Sequence, residues 1–222
     1  MNRLELANRW RQEAGVQGTY TTTVGQTGMA AKGVNWIDSA YEDIQRRHSR
    51  WDFLRTDFTF NTIESAATYT PTAAGLSDLN EWKKDSFRCY LDTVTDEQWL
   101  DCYDWSFFRD SRLLGANRSV EGRPTEFAVK PDKSLSLWAV PDDEYTIVGE
   151  YWKVPEVMSG NTGEPNFPDQ FHMAIVWRAL MFFAASEEAT YLYSHAEKEF
   201  LKSLFTLEMD QLWMSEEAET LA

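Results

Sequence analysis

Val34, Ile37, Tyr41, Ile44, His48 and Trp51 recur at spacings of three and four, the pattern of one helical face, so a helix is predicted over 34–51. Asp38, Glu42, Asp43, Arg46 and Arg47 lie opposite that face. From Leu54 the period falls to two. Thr56, Phe58, Phe60 and Thr62 alternate with Arg55, Asp57, Thr59 and Asn61, which predicts a half-buried strand. Upstream, Leu6 and Trp10 share a side of a short helix over 2–13, and Gly15, Gly18, Gly25 and Gly28 then punctuate a Thr-rich loop. Ser86 to Leu91 reads as another short strand. Thr95-Asp96-Glu97-Gln98 fits a capping box, so a helix is expected to run from there to Gly115 with Leu100, Tyr103, Phe107 and Leu114 as its buried stripe.

Between Pro124 and Pro155, three β-rich runs are divided by the turn formers Pro131-Asp132 and Pro141-Asp142-Asp143, which predicts an antiparallel meander. Leu135, Leu137, Ala139, Tyr145, Ile147, Gly149 and Tyr151 take its inward face. Trp138 and Trp152 fall on the other face, so the helices or a second subunit should cover them. After a loop over 156–168, Asp169 opens an apolar helix ending near Ser186. A last helix, about 190–213, carries Tyr193, Ala196, Phe200, Leu204 and Leu207, and the acidic tail Glu216-Glu217-Ala218-Glu219 has no apolar period. The fold class expected is α+β, an antiparallel helical bundle with an inserted antiparallel β-sheet. It reads as one domain over 1–222, with a helical core at about 2–51, 95–115 and 168–213 and β-rich insertions at about 53–91 and 124–154.

Composition narrows the role. At 43% hydrophobic and 26% charged, the chain can build a packed core, which argues against disorder. Its ten Trp supply more ring surface than one small core needs, and such side chains concentrate at interfaces. With 21 basic against 36 acidic residues the net charge is −15, unsuited to gripping nucleic acid through phosphates. Met1 to Trp10 holds no continuous apolar signal region, so the chain is expected to stay where it is made. The longest apolar stretch, Phe171 to Ala185, is broken by His172 and Arg178 and falls short of the roughly 20 residues a bilayer requires, so no membrane partner is expected. Cys89 and Cys102 are expected as reduced thiols rather than a bridge.

Motifs for enzyme chemistry are missing from the sequence. It contains no C-x-x-C, H-E-x-x-H, Ca-loop or G-x-S-x-G pattern, and Lys32-Gly33 reverses the order a phosphate-binding lysine needs. His195 and Glu199 share a helix face as a solvated pair, and His48 and His172 are expected as hydrogen-bonded core histidines. Asp142-Asp143 and Asp96-Glu97 sit where a turn and a helix start favour carboxylates. Asn117-Arg118-Ser119 is a glycosylation sequon, idle without export. No catalytic residue, metal or cofactor is assigned. Arg46, Arg47 and Arg50, continued by Arg55, form the notable basic cluster, either a solvated face or an interface for acidic partners.

Several strings carry a family likeness: Trp51-Asp52-Phe53-Leu54, the run from Pro131 to Asp142, Tyr145 to Trp152 with Gly149-Glu150-Tyr151-Trp152, and Phe171 to Leu180. Together they resemble tailed-bacteriophage head-to-tail adaptor (connector) proteins, over about Leu4 to Gln211. That resemblance implies a non-enzymatic virion component made in the host cytoplasm. It would form a homo-oligomeric ring, typically dodecameric, between the portal protein and a tail nozzle or tube protein. DNA would pass through the channel without specific binding, and an acidic lumen would let the duplex slide. By analogy the segment 205–222 would engage the portal, with Phe205, Leu212 and Trp213 as anchors, while Arg46, Arg47, Arg50, Trp138 and Trp152 would serve subunit contacts. Truncation after about Thr206 is expected to leave a folded monomer that docks poorly. The alternative is a tail-associated glycan-binding module using exposed Trp138 and Trp152. A small hydrolase built on a carboxylate pair comes third, without a visible nucleophile, base and orienter.

Overall fold

The computed structural model describes residues 1–212. It is an α+β structure with five α-helices and two four-stranded sheets, arranged as two compact units. One unit comprises Met1–Leu54 together with the chain from Pro155, and the other comprises Arg55–Val154.

The helical unit starts with α1 (Arg3–Glu13), whose Asn2 cap and Glu5 exchange hydrogen bonds of 2.9 and 3.0 Å as a capping box. Leu6, Ala7 and Trp10 are its buried face, as the spacing predicts. Helix α2 (Gly28–Arg46) begins six residues earlier than expected and ends five earlier. Gly33, one residue before the predicted start, is helical. Its missing Cβ makes room for the rings of Trp10 and Tyr20. The early end has a specific cause: the Trp51 indole donates to the Gln45 carbonyl at 3.1 Å, taking the acceptor a further helical turn would need. The glycine loop is pinned rather than free. Thr23 is buried and bonds Gly160 and Asn161, while Arg3 holds Asp38 bidentately at 2.6 and 2.8 Å and also reaches Thr23.

Helix α4 (Met173–Ser186) is apolar on most sides because it packs against α1, α2 and α5 (Thr190–Gln211). Asp169 opens a short 3₁₀ turn before it rather than the α-helix itself. The one basic residue of α4, Arg178, is accommodated by Asp43 at 2.9 Å and by the rings of Phe182 and Phe200. Gln45, fully buried, anchors the returning chain by donating to the Glu156 carbonyl and accepting from its amide at 3.0 and 2.9 Å. His172 is buried as expected and bonds the Phe167 carbonyl at 2.9 Å, and burial pulls its pKa below the ordinary value. His48 departs from its expected core role. It is half-exposed and pairs with Glu208 of α5 at 2.9 Å.

In the second unit, strand β1 (Arg55–Asn61) matches the alternation, with Phe58 and Phe60 inward. The others are β2 (Thr68–Tyr69), β3 (Leu79–Tyr90), β4 (Gln98–Trp99), β5 (Asp101–Tyr103), β6 (Glu126–Val129), β7 (Leu135–Trp138) and β8 (Thr146–Lys153). One sheet has the order β1-β8-β3-β4, all antiparallel, and the other β2-β7-β6-β5, with β5 and β6 parallel. The expected meander is therefore divided: β6 and β7 form a hairpin in one sheet, and β8 crosses to pair with β1 and β3 in the other. Phe87 of β3 stacks on Phe127 of β6 at 4.1 Å, joining the sheets through one aromatic core. Gly149 lies opposite Phe58, where a Cβ would come within 2.9 Å of the ring.

Residues 95–115 belong to this unit and are not one helix. Val94–Asp96 is a 3₁₀ turn, after which β4 pairs with β3. The capping box does not form, because the Thr95 hydroxyl bonds that of Thr93 at 2.6 Å and Gln98 is drawn into β4 opposite Cys89. The helix found, α3 (Trp105–Arg112), is capped by Asp104, which accepts from the Ser106 amide at 2.8 Å. Its buried residue is Phe108, while Phe107 and Leu114 of the expected stripe face solvent.

Candidate docking surfaces

Among the described residues no group of three or more His, Cys, Asp or Glu side chains is placed to hold a metal. His195 stacks edge-on against Trp177 instead of pairing with Glu199. Cys89 and Cys102 are free thiols. Burial pushes the Cys89 thiol up to about 11 and raises that of Cys102 as well. Neither is an activated nucleophile. No described helix is long and apolar enough to cross a membrane. What the surface does offer is exposed apolar and aromatic side chains.

Helix α5 has two apolar stripes. Ala196, Phe200, Leu204 and Leu207 are buried, and a second row at every fourth residue remains in water: Leu201 at 55% exposure, Phe205 at 64% and Met209 at 43%. Three such side chains in register form a ridge that the described residues leave uncovered. A groove of about 550 Å³, lined by Phe171, Lys202, Thr206 and Met209 among others, runs alongside. Phe205 thus lies on this ridge, Leu212 caps α5 half-buried, and Trp213 and the acidic tail lie outside the described residues. Leu207 is buried and Glu208 holds His48, so a cut after Thr206 removes core as well as surface.

The basic cluster lies at the end of α2 and beyond it. Arg46 pairs with Glu42 at 2.9 Å yet its side chain stays 68% exposed, Arg47 pairs with Asp43 at 3.3 Å and covers the Phe200 ring, and Arg50 is exposed. Arg55 belongs to the other unit, beside Glu150. Trp138 and Trp152 are not the open platform expected of them. Trp152 is 5% exposed, and Trp138 is half-buried beneath the Arg112 guanidinium, with its indole donating to the Asn117 carbonyl at 3.0 Å. Stacking on a sugar needs a bare ring face, which this pair lacks.

A different tryptophan is exposed. Among the described residues Trp99, on β4, is the one Trp that is mostly in water, at 66% exposure. The Arg88 guanidinium sits 5.5 Å from its ring centre. Trp99 borders a groove of about 570 Å³ lined by Lys84, Asp85, Asp101, Tyr103 and Asp104. Trp99 falls within the span expected to be helical, which hid its exposure. The alternation Gln98, Leu100, Cys102 against Trp99, Asp101, Tyr103 was the signal available for extended chain.

Compared with known proteins, residues 1–218 match the family model described as SU10 adaptor protein. No curated protein matches the chain.

Proposed function

The chain belongs to the SU10 adaptor protein family, bacteriophage adaptors with a structural role, and from that premise we propose that it acts in the virion neck as a ring joining portal and tail. Copies made in the host cytoplasm close into a ring, twelve being the number the resemblance implies, through head-to-tail contacts between unlike surfaces. The outer ridge of α5 meets the portal, and the opposite side of the ring receives a tail nozzle or tube protein. DNA passes through the centre, where the acidic excess of the chain discourages adhesion. The role requires no reaction and no cofactor.

The observation that carries this reading is the ridge of Leu201, Phe205 and Met209, apolar and exposed on a helix whose other side is fully packed. An apolar ridge at helical spacing is the form in which a helix enters a partner's groove. The test is to mix the full chain with the portal protein of the same phage and image the product by electron microscopy. A ring of the chain on one end of the portal is expected, and portals left bare by a folded chain would overturn the assignment.

A further inference from the structure

We infer that the Trp99 groove is the socket of the subunit contact, and that it receives the arginine-rich end of α2 from a second copy of this chain. The inference rests on the ring reading above and assigns the surfaces that close the ring.

Leaving the Trp99 indole in water carries a hydrophobic cost. A large indole that the protomer does not bury is the residue type most enriched at the centres of protein interfaces, along with Tyr and Arg. Trp99 stands at the mouth of a groove whose other lining groups are Tyr103, the carboxylates of Asp85, Asp101 and Asp104, and a single cation, Lys84. Asp104 uses one oxygen to cap α3, whereas Asp85 and Asp101 form no ion pair among the described residues. Aromatic faces flanked by carboxylates select a planar cation, because a guanidinium can stack on the ring and direct its N–H groups to the acids. Arg88 already stands over Trp99 at 5.5 Å while paired with Glu97, so the same chemistry operates within the protomer.

The chain carries a complementary surface. Residues 46–50 contain three arginines and no acid in a chain whose net charge is −15, although Arg46 and Arg47 pair with Glu42 and Asp43 one turn back and Arg50 has a partner of its own. Arg46 remains 68% exposed despite its pairing with Glu42, and Arg50 is exposed as well. Socket and arginines are different surfaces of the protomer, so their union is heterologous and can propagate around a closed ring. Like charges would otherwise oppose packing of such acidic copies, and placing the arginine-rich segment at the contact replaces that repulsion with attraction.

The test uses the full chain assembled on its portal, with p-benzoylphenylalanine placed at position 99. Irradiation is expected to give a covalent dimer of the chain whose cross-linked peptide lies within residues 46–55. A ring whose adducts fall on the portal, on other segments, or nowhere overturns this inference and leaves the ring reading intact. If the unsubstituted chain forms no ring, the ring reading fails and takes the inference with it. In parallel, Trp99→Ala should raise the chain concentration needed for half-maximal ring formation by at least about tenfold, with unchanged circular dichroism. The double reversal Asp101→Arg with Arg50→Asp should recover assembly that each single change loses. Failure of the pair to recover would also count against the contact.

Discussion

Each of the two units is held together internally by a different balance of the same means. The helical unit combines apolar stripes and the Trp10, Trp36 and Phe183 ring cluster with partly buried polar pins, Arg3 on Asp38, Gln45 on the Glu156 backbone and Arg178 on Asp43. The β unit has a denser ring core, with Phe58, Trp82 and Phe87 in mutual contact and Phe127 stacked on Phe87, beside polar pins of its own such as Arg112 on Glu126. Pins fix the angle and register of helices, which otherwise slide along apolar faces. Stacked rings fill the gap between two sheets with area and little directional demand. Both units use both devices, and the difference is one of proportion: polar pins tie together the chain segments of the helical half, and aromatic burial fills the space between the sheets of the other.

The largest test of that contrast is Phe87→Ala. Removing a fully buried ring stacked at 4.1 Å on Phe127 should cost about 3–5 kcal/mol of unfolding free energy in urea titration. A loss below about 1 kcal/mol would show that the sheets do not depend on this stack. Next is Gln45→Ala, which strands a buried amide and carbonyl of Glu156. A loss of about 2–3 kcal/mol is expected by the same titration, and an unchanged midpoint would remove the pin from the description of the helical unit.

A pH series sharpens the comparison further. Burial depresses the pKa of His172 in the folded state, so its neutral form supports folding above the ordinary value of 6.5. As pH falls below 6.5 the unfolded chain takes up a proton that the folded chain resists, and that share of stability is lost. Thermal melts of His172→Gln should show a shallower decline on the acid side than the parent. Equal slopes would dismiss the histidine as a source. The smallest stability effect is expected for Phe205→Asp. Its exposed ring contributes little to the fold, so the melt should move by no more than about 0.5 kcal/mol, while portal binding measured by co-sedimentation drops at least about tenfold. Normal binding would remove the α5 ridge from the portal contact.

Where local period and tertiary environment agree, the sequence was readable. The alternation of β1 and the core stripes of α1 and α5 appear as their spacing predicts. Errors arose where long-range partners took over. Gly33 lies outside the predicted helix until Trp10 and Tyr20 supply the reason for a missing side chain, and Thr95 to Gln98 reads as a cap until Thr93 takes the Thr95 hydroxyl and β3 takes Gln98. Phe205 was singled out by family analogy, and its exposure follows from its place on α5 away from the stripe of Ala196, Phe200, Leu204 and Leu207. Trp99 was not, because its exposure depends on β4 pairing with only two residues of β3.

The lengths of the sheet margins have a further consequence. Three of the four outer strands, β2, β4 and β5, run for only two or three residues, and the fourth, β1, turns Arg55 and Asp57 outward. A backbone ladder recruited from a neighbour finds little to extend, so uncontrolled fibre growth has no template even where many molecules are crowded together. Recognition is left to side chains, which can be satisfied once and then stop.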